Sequence, residues 1–182
     1  MTTALLVMDV QNSVVARIAE PGYLPRLRTA IAAARAAALP VIYVVVGFRP
    51  GYPEANPRNK IFGGLAGRFG AAGPDAMEIH PDVAPEPGDI TVTKKRVSAF
   101  AGSDLELLLR SSGIGHLVLT GIATSGVVLS TLRQAADLDY EITVLADGCL
   151  DHDPEVHRVL TEKVFPAQAD VVTIEDWAAR IK

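Results

Sequence analysis

LVLTGIATSGVVLSTLRQAADL, residues Leu117 to Leu138, joins two kinds of local order across a turn of small residues. Leu117 to Thr120 is a short apolar run, the pattern of a strand buried on both faces. Ser125 to Asp137 reads as a helix. Between them, Thr120-Gly121-Ile122-Ala123-Thr124-Ser125-Gly126 forms a tight strand-to-helix turn. Its small residues let backbone N–H groups approach a ligand, and Thr124 or Ser125 can cap the helix. The same alternation continues in both directions. Thr3 to Met8, Val41 to Val46 (VIYVVV), Ile90 to Val92, Ile142 to Leu145 and Val171 to Thr173 are further strands. Leu24 to Leu39, Asp104 to Arg110, Pro154 to Phe165 and Glu175 to Ile181 are further helices, the first stopped by Pro40. Strands alternating with helices predict an α/β fold: one parallel sheet of six strands with helices on both faces.

The 182 residues suit a single domain, 1–182, and 49% hydrophobic against 21% charged residues leaves ample material for its core. A net charge of −4 leaves no basic surface for a nucleic acid. One cysteine excludes a disulfide framework and a cysteine-based zinc site. Met1-Thr2-Thr3 lacks the basic stretch of a signal peptide, and no apolar run reaches membrane-spanning length. A cytoplasmic protein with no membrane association is the expectation. The alternation breaks at Gly47 to Gly88, rich in proline and glycine. A segment of this length serves a site or an interface, or is an ordinary insertion with short helical turns. Ile61, Phe62, Leu65 and Phe69 give it the apolar character of a contact between copies, so a homo-oligomer is expected.

Ligands of an open parallel sheet bind beyond the carboxyl ends of the strands. Those ends carry Asp9 and Gln11, Phe48 and Arg49, Lys94, Gly121 to Gly126, and Asp147 to Cys149. Asp9 closes a buried strand, where partial desolvation raises a carboxylate's pKa and suits it to carrying a proton; it can equally cap neighbouring amides. Lys94, within Lys94-Lys95-Arg96, can pair with it or be solvated. If Lys94 faces solvent, Lys95 is the next candidate. Phe48 and Tyr52 offer an aromatic wall, Arg49 a carboxylate-binding guanidinium, and Phe100 either a wall or a core ring. Asp151-His152-Asp153 with His157 suggests a metal, but Asp153 as N-cap followed by Pro154 explains it locally. His80, His116 and Trp177 read as structural.

Taken together, Asp9 in LLVMDVQN, Lys94 in VTKKRVSAF and the turn in LVLTGIATSGVVLSTLRQAADL resemble the isochorismatase-like (cysteine hydrolase) family, from Leu5 to about Val172. The resemblance implies a Rossmann-like three-layer core with a mostly parallel sheet. It also implies a catalytic Asp, Lys and Cys, a cis peptide at Ile122–Ala123, and an oxyanion hole from the N–H groups of Ala123 and residue 127. Asp9 and Lys94 match the first two. The cysteine position falls on Val127, so a thiol-bound acyl intermediate cannot form there. On an ideal helix Ser125 points about 200° away from residue 127 and Thr124 sits about 4.5 Å lower. Cys149 matches no motif of the family and reads as a small buried hydrophobe. Isochorismatase members hydrolyse a vinyl ether with the Asp as general acid and need no covalent intermediate, though their motif has Gly-Cys where this chain has Val127-Val128. Nicotinamidase members bind a metal through Asp and His after the second strand. Gly47 to Ile79 contains no His, so no metal site and no cofactor is expected.

Two functions follow. One is a small-molecule hydrolase without a cysteine nucleophile, acting on a vinyl ether or amide-type bond, with Asp9 as general acid or base beside Lys94. Ala123, Val127, Gln11, Phe48 and Arg49 would surround its substrate. The other is an inactive relative serving as a binding or oligomeric structural protein. A nucleotide-binding Rossmann protein is disfavoured, because Asp9-Val10-Gln11 replaces the glycine-rich turn after the first strand.

Overall fold

The computed structural model describes residues 2–18, 20–64 and 74–181. Six strands form one sheet: β1 (Thr2–Met8), β2 (Val41–Val46), β3 (Ile90–Lys94), β4 (Ile114–Ile122), β5 (Glu141–Leu150) and β6 (Asp170–Val172). Their order is β3-β2-β1-β4-β5-β6, and every pairing is parallel. The α/β architecture expected from the alternation is the one found.

The central strand explains why continuous apolar runs mark this fold. Ala4, Leu6 and Met8 of β1 face one core, and Leu5 and Val7 face the other. Helix α2 (Tyr23–Ala36) and helix α6 (Ile174–Arg180) cover the second face through Leu27, Ala30, Ile31, Ala34, Ile174 and Trp177. On the first face lie α3 (Leu105–Ser111), through Leu105 and Leu109, and α4 (Leu129–Asp137), through Leu132 and Ala135. With both faces covered, alternation of polar and apolar residues has no role in these strands. Trp177 and Phe100 are core residues, as expected for the first and one of two options for the second.

Two short helices complete the described set, α1 (Asn12–Val15) and α5 (Pro154–Val159). Asp153 caps α5 by accepting from the N–H groups of Glu155 and Val156, with Pro154 in the first turn. Helix α4 differs from expectation at its start, because Thr124–Val128 forms a wider π-helical turn before the α-helix begins. The described part of the segment after β2 is built of turns and the short 3₁₀ stretches Pro74–Met77 and Pro81–Val83, pinned to the start of α1 by an antiparallel bridge between Gln11 and Ile79. Leu65 and Phe69, expected at an interface, lie outside the described residues. Among the described residues no helix is long and apolar enough to cross a membrane.

The order of the strands positions the site. From β1 the chain runs outward through β2 to β3, then crosses to β4 on the other side of β1 and continues to β6. Strand order reverses between β1 and β4, and the crevice beyond their carboxyl ends is where an open α/β sheet binds ligands.

Candidate active site

Asp9 follows β1 at this crevice, with its backbone in the left-handed region at a φ of 57° and its N–H donating to the Val44 carbonyl at 2.8 Å. Such a backbone is uncommon for a residue with a Cβ and is held by its surroundings. Lys94, the last residue of β3, reaches across β2 to place Nζ 2.9 Å from Asp9 Oδ2, and its side chain is only 2% exposed. The same ammonium donates to the Arg96 carbonyl at 2.9 Å. Lys95 instead donates to the Gly47 carbonyl at 2.7 Å, so the buried pair belongs to Lys94.

The turn after β4 closes the site. Gly121 lies so near β1 that a Cβ there would come within 2.2 Å of the Met8 carbonyl oxygen, and its φ of 141° disfavours any side chain. The Ile122–Ala123 peptide is cis. Ile122, Ala123, Gly126 and Val127 then line a cavity of about 270 Å³ together with Asp9 and Lys94. Its remaining wall is Val14, Arg17, Val46, Phe48, Ile61, Phe62 and Val97. The segment after β2 therefore contributes to the cavity: Phe62 is buried, its ring 5.7 Å from that of Phe48 and under the guanidinium of Arg96.

Burial in this mostly apolar cavity pushes the Asp9 carboxyl up to about 6, against the opposing charge and hydrogen bond of Lys94. Desolvation thus outweighs the ion pair. Oδ2 is taken by Lys94, while Oδ1 is buried with no hydrogen-bond partner among the described residues. An unpartnered buried carboxylate oxygen is costly, and such atoms recur where chemistry requires them.

Of the residues expected around a substrate, Ala123, Val127 and Phe48 line the cavity with Asp9 and Lys94. Gln11 and Arg49 have other duties. The Gln11 amide donates to the carbonyls of Val46 and Met77 and accepts from the Val46 N–H, at 3.1, 2.6 and 3.0 Å. Fully buried and with both donors used, it fastens the segment after β2 to the sheet and has no N–H left for a ligand. Arg49 lies outside the cavity wall, with its exposed guanidinium paired to Glu54. Both corrections have one cause: position after a strand does not reveal which side chains the following turns engage.

The residues weighed as substitutes for the thiol are engaged elsewhere. Asp151 holds Ser125 through both its N–H, which donates to Oδ2 at 2.7 Å, and its side-chain hydroxyl, and buried Thr124 hydrogen-bonds His157 Nδ1 through its hydroxyl at 2.8 Å. Cys149 is buried on β5, its Sγ 3.9 Å from the Leu119 carbonyl oxygen, and burial pushes its thiol far up, outweighing the opposing hydrogen bond from Gly121. It is absent from the cavity wall. His80 accepts from the Asp82 N–H, and His116 bridges Thr3 and Thr143. No group of three or more His, Cys, Asp or Glu able to hold a metal occurs among the described residues. Arg17 and Val14 were not legible as cavity residues, since neither ends an apolar run or belongs to a motif, and Val97 lies within VTKKRVSAF as an apolar residue with nothing to single it out.

A family profile described as the isochorismatase domain matches residues 3–176. The chain is 37% identical over 202 residues to ureidoacrylate amidohydrolase RutB of Stutzerimonas stutzeri, an alignment covering 96% of this chain and 77% of that relative. The protein of the same name from Pantoea ananatis is also 37% identical, over 180 residues, covering 84% and 71%. Among solved structures, an isochorismatase family protein from Burkholderia thailandensis is similar at a TM-score of 0.82 and 29% identity, covering 99% of this chain and 95% of that one. N-carbamoylsarcosine amidase from Thermoplasma acidophilum is similar at a TM-score of 0.77 and 30% identity, covering 96% and 98%.

Proposed function

The chain belongs to the isochorismatase family, and from that premise we propose that it hydrolyses a small molecule without a covalent thiol intermediate. Asp9 carries the proton, Lys94 is its partner cation and water is the nucleophile. The observation that carries this reading is the Asp9 carboxylate itself, on a cavity wall with one oxygen on Lys94, the other unpartnered, and a pKa near 6. A carboxyl so tuned is mostly ionised at neutral pH yet basic enough to take a proton from water in a transition state.

The names of the curated relatives, ureidoacrylate amidohydrolases, favour an amide-type bond over a vinyl ether. Water adds its oxygen to the carbonyl carbon as Asp9 takes its proton, giving a tetrahedral oxyanion. Asp9 then returns the proton to the leaving nitrogen as the C–N bond breaks, releasing an acid and an amine. Lys94 has three N–H donors, with Asp9 and the Arg96 carbonyl engaging two, so the third is available to a substrate oxygen. Backbone N–H groups at Ala123 and Val127 would stabilise the oxyanion.

A screen of amides, ureides and vinyl ethers with the purified protein tests the reading. On any substrate found, Cys149→Ala should keep kcat/KM within about twofold, because its loss removes no reacting atom. A rate that collapses in Cys149→Ala while the circular dichroism spectrum is unchanged would move the nucleophile to β5 and overturn the thiol-free reading. Val127, apolar and buried where the family has its nucleophile, favours the second reading of an inactive relative that only binds. Saturable binding of panel compounds with no turnover would support it.

Self-association is a further part of the proposal, since Ile61 and Leu107 are 56% and 70% exposed. Light scattering should then give a mass above that of one chain, and a monomer at micromolar concentration removes this part alone.

A further inference from the structure

Of the charged residues on the cavity wall, Asp9 and Lys94 neutralise one another, leaving Arg17 as the third. Its guanidinium has no hydrogen bond or ion pair among the described residues, whereas Arg26, Arg35, Arg49, Arg110 and Arg158 each hold a carboxylate. Glu20, the nearest acid after Arg17 in the sequence, is bound by Arg26 at 2.6 Å. Among the described residues the cavity therefore carries one uncompensated positive charge.

Exposure fixes where that charge lies. Lys94, Val127 and Ile122 are each 2% exposed and form the floor, while Arg17 and Ile61 are exposed and form the mouth. A ligand with its scissile bond against Asp9 on the buried floor would reach Arg17 by extending to the exposed mouth of the same cavity. A volume of about 270 Å³ takes roughly nine water-sized groups, enough for a short chain between the two ends. Among the described residues, and apart from the Asp9–Lys94 pair, Arg17 is the sole polar side chain on this wall, and in a mostly apolar pocket such groups set orientation and specificity. A guanidinium matches a carboxylate with two parallel hydrogen bonds and cannot be deprotonated to accommodate a neutral group.

We propose that Arg17 is the specificity-determining residue of this cavity, selecting substrates that carry a carboxylate at the end remote from the cleaved bond. The proposal rests on the cavity being the active site, and it replaces Arg49, whose guanidinium is held by Glu54 outside the wall.

The test is equilibrium binding, by isothermal titration calorimetry, of short ureido acids and of the matching carboxamides. The native protein should bind the acids about tenfold more tightly than the amides. Arg17→Met should erase that preference by weakening the acids about tenfold more than the amides, and Arg17→Lys should keep part of it. Raising the salt concentration should weaken the acids alone. Equal binding of acids and amides to the native protein overturns the proposal, as does a preference that survives in Arg17→Met. Absence of saturable binding by any acid of the panel overturns it too. Arg17 is exposed, so folding of the variants is not at issue. Because the readout is binding, the outcome is independent of turnover: loss of activity in Asp9→Asn together with equal binding of acid and amide would sink the role of Arg17 and leave the hydrolytic reading intact.

Discussion

Asp9→Asn should lower kcat on any hydrolysed substrate by about 10²–10⁴-fold, the usual contribution of a positioned general acid or base. Asparagine keeps the shape of the side chain and can still accept a hydrogen bond from Lys94, but it cannot take a proton from water. The pH profile of the native protein carries the same information with a sign. Desolvation puts the Asp9 carboxyl near 6, against the pull of Lys94. If Asp9 is the base of an amide hydrolysis, kcat/KM rises through about pH 6 and levels above it. If it is the acid that protonates a vinyl ether, kcat/KM falls as pH rises through the same region. Asp9→Asn should remove that limb in either case. A variant that keeps both native activity and the limb near pH 6 would place the proton carrier elsewhere.

The legible parts of this molecule share a physical cause. Strands buried on both faces appear as unbroken apolar runs, so β1 and β2 could be placed closely from Thr3–Met8 and Val41–Val46. Strand β5 runs on to Leu150, well past Leu145, because Ala146-Asp147-Gly148 has the composition of a turn yet stays in the ladder through a register shift opposite Leu119 and Gly121. Asp147 is retained there by tertiary contacts that a sequence does not display: its Oδ1 accepts from the Ile174 N–H and its carbonyl from Arg26. Asp9 and Lys94 were legible because motif order, rather than local pattern, brings them together. The two assignments that changed, Gln11 and Arg49, and Arg17, one of the cavity residues missed, all depend on how the turns after β1 and β2 fold over the crevice. There, long side chains choose partners by distance, and periodicity is silent.

Lys94→Met should destabilise the fold by about 3–5 kcal/mol near neutral pH, the usual consequence of removing one member of a buried ion pair. Methionine fills the volume of the lysine stem, so the loss is chiefly electrostatic: Asp9 remains desolvated without the charge and hydrogen bond that lower its pKa. The carboxyl must then titrate higher still. The folded-state pKa of Asp9 already exceeds its ordinary value of 3.8, so between the two values the folded chain holds a proton that the unfolded chain has released. Stability from this group is therefore present at low pH and is lost as pH rises through the folded pKa. In Lys94→Met the loss should be deeper and should extend to higher pH than in the native protein, as read from urea midpoints across a pH series. Asp9→Leu combined with Lys94→Met should recover most of the deficit, since replacing both members of a buried pair with apolar groups is often neutral or stabilising. Such a double variant, stable but inactive, would mean that this pair is kept for its chemistry and not for the fold. If instead Lys94→Met costs under about 1 kcal/mol and the double variant is worse than the sum of its parts, the two residues do not interact as an isolated buried pair. The carboxylate at the end of β1 would then owe its tuning to its surroundings rather than to Lys94.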